Sequence, residues 1–108
     1  MNWPHLVSCF FGGIFLANAV PHCVSGMMGR PFQSPFAKPP GQGLSSSTVN
    51  VLWGFFNAAI GYMLLLRVGL FDVRSTSNVL VLAVGALLIG LFSARHFGQF
   101  HGGNTPGN

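Results

Sequence analysis

Few side chains in this 108-residue chain are of the types that bind metals or carry out catalysis. His22 and Cys23 are adjacent, and His96 lies much later in the chain. Thiolate and imidazole ligands suit copper, and a pair of histidines suits the axial positions of haem. No Cys-x-x-Cys spacing accompanies these residues. We therefore expect no cofactor, with copper or haem bound through His22, Cys23 and His96 as the alternative.

Catalytic groups are equally scarce, because Asp72 is the only acidic residue. A lone carboxylate excludes a two-carboxylate site. Asp72 also lies in a short connection that we expect on the opposite membrane face from His22 and His96, so a triad of Ser or Cys with His and Asp cannot assemble. No Gly-x-x-x-x-Gly-Lys motif for phosphate binding is present. The chain is therefore not expected to be an enzyme.

Polar residues recur at helical spacing within three apolar stretches: Asn18 with His22, Asn50 with Asn57, and Ser93 with His96. Such spacings place each pair on one face of its helix. If the stretches cross a membrane in alternating directions, these residues share one half of it. The predicted polar cluster comprises Asn18, His22, Asn57, Ser93 and His96. It is interpreted either as hydrogen bonds between helices or as a polar site open to one compartment.

The composition excludes a water-soluble enzyme and a disordered tail. Hydrophobic residues make up 50% of the chain and charged residues only 6%, whereas a soluble domain has roughly 25% charged residues. The net charge of +4 reflects scattered cations and an almost complete lack of acidic residues. Scattered cations do not form the basic patch that nucleic acid requires, so no nucleic-acid partner is expected. We expect an integral, multi-pass membrane protein embedded in the lipid bilayer.

Three apolar stretches, residues 3–24, 48–71 and 78–97, are each long enough to form a transmembrane helix. About 20 residues at ~1.5 Å per residue cross the ~30 Å hydrocarbon core. We predict an all-α integral membrane fold in which residues 1–108 form one domain, with three helices in up-down-up order. Because the connection between the second and third helices is short, we predict that these two form a tight hairpin.

The first stretch has a second interpretation as a cleaved signal peptide, because Ala17-Asn18-Ala19 has the small-x-small form of a cleavage site. No Lys or Arg precedes its apolar residues, so we expect a retained membrane anchor. The positive charges predict no orientation. Counting the terminal amine, three lie on the side of the N-terminus and three on the side of the long connection.

The long connection, residues 25–47, is rich in proline and phenylalanine. Proline fixes φ and lacks an N–H group, so we expect extended and turn structure here. Phe32 and Phe36 are expected at the membrane interface or against the helix ends, and the alternative is that they dock a partner protein. Serines at 45–47 and at 75 or 77 are placed to cap the next helices. The Gly- and Asn-rich tail, residues 101–108, is expected to be flexible.

Small residues recur at four-residue spacing in every stretch and favour close helix packing: Gly13, Ala17, Gly54, Ala58, Ala86, Gly90 and Ala94. Three short helices cannot enclose a pathway alone. We therefore expect a small non-catalytic membrane subunit that assembles with other membrane proteins or with itself. The alternatives are an oligomeric channel or transporter with a polar vestibule, and a subunit that binds copper or haem.

Overall fold

A computed structural model describes residues 2–104, and this part of the chain is helical apart from its connections. Helix α1 comprises Trp3–Met27, α2 comprises Ser47–Tyr62, and α3 comprises Thr76–His101. A π-helical segment, Met63–Val68, continues α2 without a break. The three helical spans are long and apolar enough to cross a membrane. The prediction of three helices of membrane-spanning length is confirmed.

Side-chain caps determine where the helices begin. Asn2 accepts a hydrogen bond from the backbone N–H of His5 at the start of α1. The Ser46 hydroxyl oxygen accepts from Val49 N at 3.2 Å, and the Ser75 hydroxyl oxygen accepts from Asn78 N at 3.3 Å. Both serine caps agree with the sequence-based expectation, because a cap oxygen pairs with an N–H group that has no partner within the helix.

The helix ends differ from the expected boundaries by a few residues. Helix α1 extends to Met27, and α3 extends to His101, where Gly102 adopts a left-handed conformation with φ of 75°. The expected flexible tail, residues 101–108, therefore begins with the last residue of a helix. Its residues 105–108 lie outside the described part of the chain.

The π-helical segment ends the second span earlier than expected, at Val68 instead of residue 71. The carbonyl oxygen of Leu64 accepts a hydrogen bond from Gly69 N, five residues later, at 2.8 Å. The same oxygen also accepts from the Ser8 hydroxyl of α1. A widened turn of this kind leaves backbone groups available to neighbouring helices, and here Ser8 makes use of one.

Helix α1 lies between the other two helices. Its adjacent residues Gly12 and Gly13 have no side chains, so neighbouring helices approach α1 closely on two faces. The Leu65 side chain fills the space beside Gly12, and the Leu82 backbone lies against Gly13. Gly26, near the other end of α1, faces Val51 of α2, so α2 runs antiparallel to α1.

The predicted tight hairpin of the second and third helices is wrong. Throughout residues 2–104, no Cα atom of α2 or its π-helical continuation lies within 8 Å of one in α3. The short connection, residues 69–75, holds the adjoining helix ends near each other but leaves α3 free to pack elsewhere. Helix α3 packs on α1 instead, where the backbone of Leu82 lies against Gly13.

The long connection, residues 28–46, folds back on itself over the helix ends. Phe32 and Ser45 exchange two backbone hydrogen bonds, with N···O distances of 3.1 and 2.7 Å. The buried hydroxyl groups of Ser34 and Ser45 are also hydrogen-bonded to each other. Turns fill the segment between, which contains a cis peptide bond at Lys38-Pro39. This connection is therefore an ordered cap that joins the end of α1 to the start of α2.

Candidate functional site

Asn50 is the centre of the polar network between α1, α2 and the connection. It lies near the start of α2 and is fully buried, with 0% exposure. Its Nδ2 group lies within hydrogen-bonding distance of three carbonyl oxygens, those of Phe32, Ser45 and Ser46 at 3.1, 3.3 and 3.0 Å. Its Oδ1 atom lies 2.7 Å from His22 Nδ1. One amide thus ties the connection to two helices.

The carbonyl partners of Asn50 also determine the protonation of the His22 ring. Carbonyl oxygens only accept hydrogen bonds, so they require the NH₂ group of Asn50 and leave its Oδ1 atom to face the imidazole. Because Oδ1 is also an acceptor, Nδ1 of His22 must carry the proton. In a neutral ring the other nitrogen, Nε2, is then an acceptor. His22 is 5% exposed, with Phe32 and Trp53 packed against its ring at centroid distances of 5.3 and 6.5 Å.

A second polar contact joins α1 and α2 farther from the long connection. Asn18 Nδ2 donates to Asn57 Oδ1 at 3.1 Å, and Asn57 Nδ2 donates to the Trp53 carbonyl oxygen at 2.8 Å. Asn57 is only 1% exposed. The structure therefore brings Asn18 and Asn57 of the predicted polar cluster into direct contact, whereas His22 pairs with Asn50, which the cluster did not include.

A cavity of about 320 Å³ lies where α1, α3 and the connection meet. Asn18 and His22 of α1 border it on one side, and Ser93 of α3 borders it on the other. Gln33 of the connection also borders it. Three residues of the predicted polar cluster therefore share one cavity, together with an amide from the connection.

His96 is separate from this cavity. Its ring stacks on Phe92 at a centroid distance of 5.2 Å and meets the rings of Phe97 and Phe100 edge-on, all within α3. Its Nδ1 atom lies 3.5 Å from Gln99 Nε2. The residues lining the cavity do not include it. His96 therefore does not join His22, contrary to the expectation from its spacing to Ser93.

The three residues considered as metal ligands point in different directions. His22 faces Asn50, Cys23 faces α2 at Gly54, and His96 contacts aromatic rings of its own helix. Among residues 2–104, no group of three His, Cys, Asp or Glu side chains is close enough together to hold a metal ion.

The expected small-residue positions divide into packed and open ones. A Cβ atom at Gly13 would collide with the Leu82 backbone, and one at Gly54 would collide with Cys23. At Gly90, by contrast, an added Cβ would meet no heavy atom within 4 Å. Gly90 borders the cavity with Ala17 and Ala94, while Ala58 and Ala86 are half-buried. Gly90 therefore does not pack against another helix of the described chain.

Further close approaches involve glycines outside the expected set: Gly12, Gly26, Gly61 and Gly85. Gly61 continues the row of Gly54 at seven residues, a spacing visible in the sequence. The position of Gln33 at the cavity could not be predicted in this way, because a glutamine in an irregular connection follows no helical periodicity.

Phe32, considered for partner docking, is half-buried against His22. Phe36 is 62% exposed and packs edge-on against Trp53.

The described site combines an amide–imidazole pair, an amide–amide pair and a mixed polar and apolar cavity. Such groups can orient a small molecule through hydrogen bonds, or they can hold helices together. No protein-family model, curated protein or solved structure matches this chain.

Proposed function

We propose that this protein is a non-catalytic subunit of a membrane assembly, formed with other membrane proteins or with further copies of itself. The exposure of α3 is the observation that supports this proposal. Gly85 is the only buried residue of that 26-residue helix, and α1 is the only helix of the described chain that packs on it. A helix held on one side only has most of its surface available to another protein.

The proposed membrane topology is up-down-up. The antiparallel packing of α2 on α1 supports it. The borders of two cavities support it too: His5 and Ser77 share one cavity near the starts of α1 and α3, and His22 and Ser93 share another near their ends. The long connection would then lie on the same membrane face as the end of α3.

Cysteine crosslinking tests the assembly through α3. Leu87 is 61% exposed and lies on the side of α3 opposite Gly85, whereas Leu52 of α2 is 67% exposed and serves as a matched control. Under mild oxidation in native membranes, Leu87→Cys should form a covalent dimer or an adduct with another membrane protein, and Leu52→Cys should not. A chain that stays monomeric in mild detergent, with no crosslinked product from Leu87→Cys, contradicts the proposal.

The second proposed function is that of a channel or transporter subunit, with Asn18 and His22 in a polar vestibule. The cavity between α1, α3 and the connection favours it, because polar groups that border a cavity within a membrane-spanning region are a usual feature of permeation pathways. Flux of small neutral solutes into liposomes that contain the purified protein tests this function. Flux equal to that of protein-free liposomes contradicts it.

A further inference from the structure

Gln33, which borders the cavity between α1, α3 and the connection, carries a buried polar atom without a partner. Gln33 is only 7% exposed, and its side-chain Oε1 atom makes no hydrogen bond with the described part of the chain. Leaving a buried acceptor unpaired is costly, so native structures generally satisfy such atoms with protein, water or ligand. Oε1 itself is closed to solvent, but its residue borders the cavity, so a turn of the side-chain amide would present this acceptor to a molecule there.

Two residues that border the same space carry further acceptors. Nε2 of His22 is an acceptor, because Nδ1 carries the proton that pairs with Asn50. Pro21 has no N–H group, so the carbonyl oxygen of Ala17 lacks the donor that a regular helix would place four residues later. Both Ala17 and His22 line the cavity. A molecule that pairs with these acceptors must therefore bring donors.

The remaining lining defines the rest of the ligand. No Lys, Arg, Asp or Glu side chain is among the residues that line the cavity within the described chain, so a charged group would have no counter-ion. Phe32, Ile89 and Phe97 supply apolar surface. The volume of about 320 Å³ lies at the lower end of the range for small-molecule pockets, about 300–1,000 Å³. The lining suits a small neutral molecule with an apolar body.

We infer that this cavity binds a neutral hydroxyl-bearing amphiphile, whose O–H group donates to the acceptors of Gln33 and His22 and whose apolar part lies against Phe32 and Phe97. Two sources have this chemistry: a membrane lipid with a hydroxylated headgroup, and a free alcohol or phenol. Binding of either kind requires neither assembly through α3 nor solute flux, so it can be tested on a single chain.

The first experiment measures binding of 4-propylphenol to the purified protein in nanodiscs by saturation-transfer NMR. Its methyl ether, 4-propylanisole, has nearly the same shape but lacks the donor. The phenol should bind, and the ether should bind at least roughly fivefold more weakly, the change expected for one lost hydrogen bond. Gln33→Met keeps the side-chain length but removes the acceptor, and it should reduce the preference for the phenol.

Gly90→Leu is the blocking variant, because its added side chain would enter the cavity without meeting an atom within 4 Å of its Cβ. It should abolish phenol binding. Ala59→Leu adds a side chain at an exposed position of α2 and should leave binding unchanged.

The second experiment identifies the source by native mass spectrometry of protein extracted in mild detergent. A lipid mass retained by the original protein and by Ala59→Leu, but lost from Gly90→Leu, supports the inference and identifies a lipid as the natural ligand. Phenol binding without a retained lipid supports it and indicates a free small molecule. The inference is overturned if neither probe nor lipid binds, if phenol and ether bind equally, or if Gly90→Leu binds like the original protein.

Discussion

Asn50 and His22 show how one buried amide can organise several elements. The amide group lies within hydrogen-bonding distance of three carbonyl oxygens and faces the imidazole through its own oxygen. Removing it would leave the imidazole N–H of His22 without a partner in a buried region, while the three carbonyl oxygens would keep only their backbone donors. Such a loss costs more than the bond itself contributes, since the remaining groups lose their solvation without compensation.

Replacement of Asn50 by alanine is therefore expected to lower the free energy of unfolding by about 2–3 kcal/mol. Asn18→Ala is the matched control, because Asn18 makes one interhelical hydrogen bond, and such bonds in membranes average about 0.6 kcal/mol. Equilibrium unfolding in mixed micelles measures both. Equal losses of unfolding free energy for the two variants would show that the Asn50 network stabilises the fold no more than the hydrogen bond of Asn18.

A pair of glycine variants tests which small residues pack. Gly13→Ala should destabilise the protein by about 1–3 kcal/mol, because the new methyl group collides with backbone atoms of Leu82 that cannot move away alone. Gly90→Ala should be neutral or should stabilise α3 by about 0.5–1 kcal/mol, since alanine favours the helix and the space is open. Thermal unfolding of both variants measures the change in stability. Equal destabilisation would show that Gly90 faces a second protein.

The sequence predicted part of this site for a clear reason. Helical spacing and chain direction indicate which residues share a face and a depth, and the structure places Asn18 and Asn57 of the predicted cluster in contact. Spacing does not indicate how far each helix is rotated about its axis. That rotation decides that His22 meets Asn50, and that Ser93 borders the cavity while His96 stacks on Phe92.

At the scale of the helices, the boundaries were more predictable than the packing. Apolar length and serine caps follow from local sequence, so the starts of α2 and α3 were expected within two residues. The π-helical segment was not expected, because local sequence does not show that Ser8 of another helix meets the Leu64 carbonyl oxygen. Likewise, the sequence of α3 alone does not show on which side of α1 it packs, because the close approach is at Gly13, far away in the chain.

Ser8→Ala tests the support of the π-helical segment. Loss of the hydroxyl donor removes one partner of the Leu64 carbonyl oxygen, and the expected cost is about 0.5–1.5 kcal/mol. Ser77→Ala, in the first turn of α3 and bonded only weakly to Ser75 at 3.3 Å, serves as the control. Amide hydrogen exchange should rise at Gly69 in the Ser8 variant. Unchanged exchange there would show that the segment holds its geometry without α1.

For the molecule as a whole, the proposed topology places the two connections on opposite membrane faces. Val73 in the short connection is 75% exposed, and Lys38 in the long one is also exposed. A membrane-impermeant maleimide added to sealed vesicles should label only one of Val73→Cys and Lys38→Cys, and the other only after the membrane is opened. The unsubstituted protein controls for Cys9 and Cys23. Labelling of both variants from the same side contradicts the topology.

The central position of α1 also bears on how the protein is made. Because α2 and α3 do not touch within the described chain, the α1–α2 pair can pack without any contribution from α3, which meets only α1 and the long connection. A chain emerging from the ribosome can thus complete its first hairpin while α3 is still being synthesised. Helix α3 then packs against α1 after the α1–α2 pair has formed.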